Sequence, residues 1–245
     1  MTTSLELRGP AASWALLGLA ALVSLPGIAA QDGPANAAPV EERSVEDPIA
    51  EARRVIDIAR RIEGRYRHLG PFRVTFEQAY ASATFRFEDE NRGTIHVVPP
   101  RRMLWVYDEP AGQRAVMDGD TWWLVDPELR QISRRDREPG ETDPLVDILA
   151  GRLDLLAVFS ARPSTEPAAE TGQEVVELIP REPRDDMDLA VIWVDGATGD
   201  MRRVDVIDPL GNRMRFRFGR PVAETRPPEA EFRVEIPPGY TLVRE

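Results

Sequence analysis

The stretch GTIHVVPPRRMLWVYDEPAGQRAVMDGDTWWLVDP, residues 93–127, decides the fold class of this chain. It contains short runs rich in β-branched and aromatic residues, and Pro, Gly and acidic residues separate one run from the next. Runs of this kind, joined by turns too short to hold a helix, are typical of an antiparallel meander. The stretch therefore predicts consecutive strands that lie side by side in a sheet.

The strand pattern continues on both sides of this stretch. RVTFEQAYA and SATFRFEDE precede it, with a turn predicted at residues 88–91; LRQISR, EVVELIP, LAVIWVD, RRVDVID, RMRFRFG and FRVEI follow it. Two amphipathic helices are predicted, one from Asp47-Pro48 to Gly70-Pro71 and one that begins at Asp143-Pro144 and whose apolar stripe reaches Phe159. Asp before Pro is a favourable helix start, since the carboxylate caps the first turn. The pattern predicts a mainly β chain with about 11 to 12 strands and two helices.

The distribution of apolar residues over the strand faces leaves two interpretations. In RMRFRFG, alternate positions are apolar, whereas in LAVIWVD both faces are apolar. Part of the sheet must therefore be covered on both sides. The cover is either an ordinary core formed by a second layer, or a set of helices over a curved sheet whose concave face holds an apolar ligand.

Composition excludes several kinds of function. The formal net charge of -11 argues against nucleic-acid binding, which needs a basic surface. With no Cys, the chain has neither disulfides nor a cysteine nucleophile. The two histidines, His68 and His96, lack metal-ligand spacing, and neither a catalytic motif nor a phosphate-binding loop is present. We therefore expect a protein that is not an enzyme and that needs no metal or cofactor.

The N-terminal residues resemble a secretory signal. Arg8 precedes an apolar run from Ala11 to Leu25, which is shorter than a membrane-spanning helix. We predict a signal peptide over residues 1–30, a disordered tether over 31–46 and one domain over 47–245; the alternative is a signal retained as a membrane anchor. The predicted localisation is periplasmic.

The order of these landmarks resembles the LolA family, periplasmic carriers of outer-membrane lipoproteins. The resemblance covers nearly all of the chain after the tether. It rests on FRVTFEQ (72–78), GTIHVVPPRRMLW (93–105), VMDGDTWWLVDP (116–127), PLVDILAG (144–151), ELIP (177–180), VIDPLGNRMRFRF (206–218) and FRVEIPPGY (232–240).

The resemblance implies an unclosed, strongly curved antiparallel β-barrel with helices as a lid over an apolar cavity. It also implies a monomeric shuttle that receives lipoprotein acyl chains from an inner-membrane lipoprotein-releasing ABC transporter and passes them to an outer-membrane receptor lipoprotein. The absence of Cys favours the soluble carrier over that receptor, which is anchored through a lipidated Cys. The alternative is a periplasmic lipid-sensing module of the same fold that binds an anti-sigma factor.

We predict that large apolar residues line the cavity and that one arginine holds the lid. The candidates for the lining are Ile56, Phe76, Met103, Trp105, Tyr107, Leu149, Trp193, Met214, Phe216 and Phe218. The family's carriers often bear a basic latch residue at the position occupied here by Pro99. Arg101 lies on the same face as Met103 by strand parity, so it is predicted to reach the lid instead; the alternative is that Arg101 is solvated.

Two adjacent tryptophans, Trp122 and Trp123, must point to opposite faces of their strand. A two-residue turn at Asp118-Gly119 would place Trp122 opposite Ala115, and a three-residue turn would place it opposite Val116. We predict that Trp123 is buried and that Trp122 covers the other face, partly exposed.

Overall fold

The computed structural model describes residues 48–84, 88–109, 111–138 and 140–244. The predicted signal peptide, the tether and the helix cap at Asp47 lie outside these residues. They stay predictions, as does the domain boundary at residue 47.

The first predicted helix is present, and the second is divided into two. α1 spans Pro48–Arg67, α2 spans Pro144–Leu149 and α3 spans Leu155–Val158. The division occurs at Gly151, which has a φ of 68°. A Cβ at this position would lie 2.7 Å from the carbonyl oxygen of Tyr66, so the chain turns away where it meets α1. The prediction of one continuous helix as far as Phe159 was wrong, because this close approach is a tertiary contact.

In the part of the chain that the structure describes, thirteen strands form one sheet that is curled but not closed. They are β1 (Phe72–Ala81), β2 (Glu88–Val98), β3 (Arg102–Glu109), β4 (Arg114–Asp118), β5 (Thr121–Asp126), β6 (Gln131–Asp136), β7 (Phe159–Pro163), β8 (Gln173–Pro180), β9 (Leu189–Asp195), β10 (Met201–Ile207), β11 (Arg213–Phe218), β12 (Val222–Ala223) and β13 (Thr241–Arg244).

The strand order is β13-β6-β5-β4-β3-β2-β1-β11-β10-β9-β8-β7, and β12 continues beside β1. The neighbouring strands run antiparallel except for β13, which runs parallel to β6. The meander predicted from residues 93–127 is thus confirmed, and the mainly β class with helices on a curled sheet is confirmed with it.

Two local predictions about strands were wrong. Residues 88–91, predicted as a turn, belong to β2, which pairs with β1 from Glu88 onward. FRVEI (232–236), predicted as a strand, instead begins with the last residue of a short 3₁₀ helix, Glu229–Phe232, and continues without strand pairing; β13 forms later in the chain. The alternation of FRVEI is satisfied without strand pairing, because Phe232 packs on the outer face of the sheet.

The sheet separates two apolar clusters, and this separation defines its faces. The inner face carries the main core and packs against all three helices, through residues such as Ile62, Leu149 and Leu155. The outer face carries a smaller cluster in which Phe232 covers Val98 and Val116. The C-terminal segment therefore supplies the second cover that part of the sheet needs, and the helices supply the first.

The two tryptophans of β5 are oriented opposite to the prediction. Asp118 pairs with Thr121, so the turn consists of Gly119 and Asp120 and neither predicted register is correct. Trp122 faces inward and is 5% exposed. Trp123 is only partly buried on the outer face, where the Arg134 guanidinium lies 5.3 Å from its ring centre.

Candidate functional site

The inner face of the sheet carries a connected group of aromatic rings. Phe76 on β1 contacts Trp105 and Tyr107 on β3, with ring centres 5.1 and 5.3 Å apart. Trp105 lies 6.1 Å from Phe216 on β11, and Phe216 stacks on Phe218 at 6.0 Å. Alternation along each strand directs these rings to one side, and the pairing of β1 with β11 and of β2 with β3 brings them together. We call this set the aromatic cluster.

Eight of the ten residues predicted as cavity lining lie in the inner core. Besides the aromatic cluster, they include residues from β3, β11 and α2, namely Met103, Met214 and Leu149. The alternation of apolar residues in β3 and β11 was sufficient to place each set on one face. The register between the strands, which cannot be read from the sequence, brings the apolar residues of β3 and β11 together into one continuous surface.

Trp193, predicted with the others, lies on the opposite face. Its strand neighbours Ile192 and Val194 belong to the inner core, so Trp193 points outward. The indole N–H donates to the Pro167 carbonyl oxygen at 3.0 Å, and the Arg203 guanidinium lies 3.9 Å from the ring centre. Because a loop and an arginine cover it, Trp193 is buried without touching the inner face.

Ile56, the predicted contribution of α1, also lies apart from the inner core. The buried stripe of α1 consists of Val55, Ile58, Ala59, Ile62 and Tyr66, and Ile56 beside it is only partly buried. A one-residue step turns a helix by about 100°, so periodicity alone left the centre of the stripe uncertain.

The inner face is filled in this conformation, where the sequence predicted an apolar cavity. Phe76, Met103 and Phe216 are each at most 2% exposed. A void between α2 and the sheet, lined in part by Leu145, Met187 and Phe216, measures about 20 Å³, the space of one water molecule. At this point the inner face therefore has space for no more than one water molecule unless the helices move away from the sheet.

Arg101 does not contact the helices. Its side chain is 48% exposed and forms an ion pair with Asp120 in the turn between β4 and β5. The predicted latch between Arg101 and the lid is therefore absent from this conformation. The carboxylate that holds Arg101 belongs to its own sheet.

A different group of charged residues ties α2 to the sheet. We call the segment Asp143–Val158, which contains α2 and α3, the lid. Arg137, at the end of β6, donates to both carboxylate oxygens of Asp147 in α2, at 3.2 and 3.0 Å. Arg152 pairs with the same carboxylate. Asp147 also accepts from the backbone N–H of Asp143 at 3.0 Å.

The ion pair between Arg137 and Asp147 is the buried centre of this group. Their side chains are 5% and 7% exposed. Desolvation is the largest effect and opposes the charge on Arg137, but the hydrogen bonds to Asp147 together with the attraction of the carboxylates of Asp147, Asp143 and Glu141 outweigh it and raise the pKa of the guanidinium. We call Arg137, Asp147 and Arg152 the lid anchor. Sequence analysis missed it, because an Arg after a strand and an Asp within a helix are ordinary surface residues until the fold brings them together.

Asp143, the N-cap of α2, is a second buried carboxyl of the lid, and burial raises its pKa to about 6 from 3.8. The folded state therefore favours the protonated form. The contribution of this group to stability is complete below pH 4 and is lost as the pH rises through about 6.

Asp143→Asn retains a capping oxygen and removes the charge. At pH 8 we expect it to raise the free energy of unfolding by up to about 3 kcal/mol relative to the parent, with no gain at pH 3. Urea unfolding at both pH values measures this difference, and Asp154→Asn, at the exposed cap of α3, controls for the change of cap residue. An equal gain at both pH values would contradict the assignment of the shift to Asp143.

Charged side chains line the larger hollows of the surface. One of about 730 Å³ lies between the end of β6, the segment that precedes the lid, the end of α3 and the loop after β8. Arg135 projects into its wall from the inner face of β6, beside Glu141. A second, of about 460 Å³, lies between Arg101 and the lid anchor. Both adjoin the lid, where the gap in the curled sheet is bridged.

The described part of the chain contains neither a cluster of metal ligands nor a membrane-spanning helix. Among residues 48–84, 88–109, 111–138 and 140–244, no group of three or more His, Asp or Glu side chains could hold a metal ion. None of the helices formed by these residues is long and apolar enough to cross a membrane.

Sequence comparison finds similarity to outer-membrane lipoprotein carrier proteins. The family model described as "Outer membrane lipoprotein carrier protein LolA" matches residues 67–235. The outer-membrane lipoprotein carrier protein of Dechloromonas aromatica is 28% identical over 173 residues, 71% of this chain and 81% of that protein. The protein of the same name from Methylobacillus flagellatus is 22% identical over 180 residues, 74% of this chain and 85% of its own.

Solved structures are similar at low identity. A LolA superfamily protein from Nitrosomonas europaea has a TM-score of 0.41 at 14% identity, covering 74% of this chain and 97% of that one. The MucB chain from the MucA/MucB complex of Pseudomonas aeruginosa has a TM-score of 0.43 at 17% identity, covering 74% and 61%. Identities this low concern the fold alone.

Proposed function

We propose, on the premise that this chain belongs to the LolA family of outer-membrane lipoprotein carrier proteins, that it carries lipoproteins across the periplasm with their acyl chains held against the inner face of its sheet. The proposed carrier is a monomer, secreted through the N-terminal signal. It receives cargo from an inner-membrane lipoprotein-releasing ABC transporter and delivers it to an outer-membrane receptor lipoprotein.

The observation that carries this proposal is the continuous apolar inner face under separate short helices. The aromatic cluster forms its centre, Met103 and Met214 extend it, and Leu149 of α2 belongs to the same core from the side of the lid. α2 has six residues and α3 four, so neither is stable alone, and each depends on its contacts with the sheet. The lid is the part of the cover that we propose to separate from the inner face.

The filled interior supports transfer of cargo rather than storage. Burial of an acyl chain contributes about 0.8 kcal/mol per methylene group, more than about 10 kcal/mol for a whole chain. Opening the lid first exposes residues such as Leu145, Ile148 and Leu149, which are at most 5% exposed in the closed form. That cost offsets part of the acyl contribution, so a receptor with a preformed cavity can compete for the chain.

A photo-crosslinking experiment tests the proposal. A diacyl lipopeptide with a diazirine in one acyl chain is bound to the purified protein and irradiated, and the adducts are mapped by mass spectrometry. We expect adducts on the inner face, at Phe76, Trp105 and Phe216. Trp193 and the outward-pointing Val106, which is 37% exposed, serve as matched positions where adducts are not expected.

Adducts at Trp193 or Val106 without adducts on the inner face would contradict acyl binding under the lid. Cargo identity is tested separately, by extracting the protein from native periplasm and analysing what it holds. Lipoprotein in the extract supports carriage. An extract without acyl-bearing cargo, together with a co-purified anti-sigma factor, would contradict carriage and favour a regulatory module of the same fold.

A further inference from the structure

The apolar inner face contains N–H groups that find no acceptor. Within the described residues, Nε1 of Trp105 on β3 is one of them, and Nε1 of Trp122 and both Nε and Nη2 of Arg135 are three more that are buried without a hydrogen-bond partner. The side chain of Trp122 belongs to the inner core and is 5% exposed. Trp122 on β5 pairs directly with Arg135 on β6, so their side chains are neighbours on the same face. These donors therefore lie together at one end of the apolar interior.

A face that binds only hydrocarbon does not need such donors. A buried N–H without an acceptor destabilises the protein, and phenylalanine at position 122 would keep the ring and avoid that cost. Leaving two adjacent side chains in this state is therefore costly for folding. The donors become favourable when a ligand supplies acceptor oxygens at the same place.

Arg135 presents its donors in a fixed geometry. Its Nη1 is held by the Glu141 carboxylate at 2.5 Å, so the guanidinium cannot rotate freely. The remaining edge, formed by Nε and Nη2, carries two parallel N–H groups, the arrangement that matches a pair of acceptor oxygens. Arg135 also forms part of the wall of the 730 Å³ hollow. The donor edge thus lies where the apolar interior meets the polar space beside the lid.

Charge decides which acceptors fit. Five carboxylates and three guanidiniums line the hollow, and Arg135 is already neutralised by Glu141. A phosphate would enter an excess of negative charge and would compete with Glu141 for its partner. Uncharged carbonyl oxygens accept the same hydrogen bonds without adding charge. The arrangement therefore favours ester or amide carbonyls over anionic head groups.

We propose that Trp122 and Arg135 form a polar subsite that binds the ester carbonyls of the diacylglyceryl group of a lipoprotein, where its acyl chains join the rest of the molecule. This inference rests on the proposed function and deepens it. The acyl chains lie against the inner face, and the glyceryl esters lie at its polar end. The subsite distinguishes an uncharged diacylglyceryl thioether from a phospholipid, whose glycerol carries a phosphate.

The test compares a synthetic diacylglyceryl lipopeptide with its dialkyl ether analogue, which has the same chain length but no carbonyl groups. For the parent protein, we expect the ester lipopeptide to bind about tenfold more tightly, as two weak hydrogen bonds imply. In Trp122→Phe and in Arg135→Met this preference is expected to fall to about threefold or less, with the ether affinity unchanged. Trp123→Phe, on the outer face, is the matched control and should keep the tenfold preference. Phosphatidylglycerol of the same chain length should bind less tightly than the ester lipopeptide.

Each of the following results contradicts one part of the proposal. Equal binding of ester and ether lipopeptides by the parent protein overturns the subsite and leaves acyl carriage intact. A preference that survives in both Trp122→Phe and Arg135→Met, each verified as folded by circular dichroism, also overturns it. Phosphatidylglycerol binding as tightly as the lipopeptide overturns the argument from charge. Failure of the parent protein to bind either lipopeptide contradicts the proposed function itself.

Discussion

Asp147→Ala is expected to lower the free energy of unfolding by about 3–5 kcal/mol, or to unfold the lid separately, because it leaves the buried Arg137 guanidinium without its carboxylate, with only the Glu141 carbonyl oxygen still accepting from it. The Arg137 side chain is 5% exposed, and Asp147 is the carboxylate that accepts from both its terminal nitrogens. The backbone N–H of Asp143 loses its acceptor as well. Urea unfolding gives the global value, and amide hydrogen exchange at Ile148 and Leu149 reports local opening of α2.

Two controls separate the buried charge from simple loss of contacts. Arg152→Ala removes the other partner of Asp147. Because the Arg152 side chain is 24% exposed, this variant is expected to lower the free energy of unfolding by less than about 1.5 kcal/mol. The double variant Arg137→Met and Asp147→Leu removes the charge and its partner together, so it should recover much of the loss. A single variant Asp147→Ala that unfolds like the parent, with unchanged exchange at α2, would show that the lid anchor does not hold the lid.

Phe76→Ala is expected to cost about 3–5 kcal/mol, the range for removing a buried aromatic ring from a packed core. Phe76 is 2% exposed and contacts both Trp105 and Tyr107. Chemical denaturation measures the loss. Val106→Ala, one position from Tyr107 on the same strand but pointing outward, should change stability by no more than about 0.5 kcal/mol.

The variant Phe76→Ala also tests the role of the filled interior. Removal of the Phe76 ring leaves apolar space beside Trp105, so less of the core must be displaced before an acyl chain enters. The affinity for the diacyl lipopeptide is therefore expected to rise in Phe76→Ala, although the protein is less stable. The measured affinity of Phe76→Ala could instead fall only in proportion to the fraction of the variant that is unfolded. The folded variant would then bind no more tightly than the parent, which would mean that the acyl chain binds elsewhere.

The meander and its face pattern could be predicted from sequence because they depend on neighbours in the chain. Alternation directs Met103, Trp105 and Tyr107 to one side whatever the rest of the protein does. The Asp-Pro pair at Asp143 predicts a helix start for the same local reason, and its side chain accepts from Val146 at 3.3 Å. The order of such landmarks then carried the resemblance to the family that the family model matches.

The errors concern which side of an element faces the core. Trp123 was predicted to be the buried member of its pair and Trp193 to line the cavity. Each faces outward, where a distant part of the chain covers it: the C-terminal segment at Trp123, and Arg203 with the Pro167 loop at Trp193. Aromatic character indicates burial but not its direction. An outer face that is covered by another segment therefore carries the same large aromatic residues as the inner face, and the sequence does not distinguish the two.

The sequence by itself determined the strands, the turn chemistry and the alternating faces, since each is set by contacts a few residues apart. Only the tertiary structure decided which face is inner, because that choice depends on where the helices and the C-terminal segment dock. Only the tertiary structure joined Arg137 to Asp147 and placed the unpaired donors of Trp122 and Arg135 side by side. Those contacts depend on strand register and on the curl of the sheet, which local residue patterns do not encode.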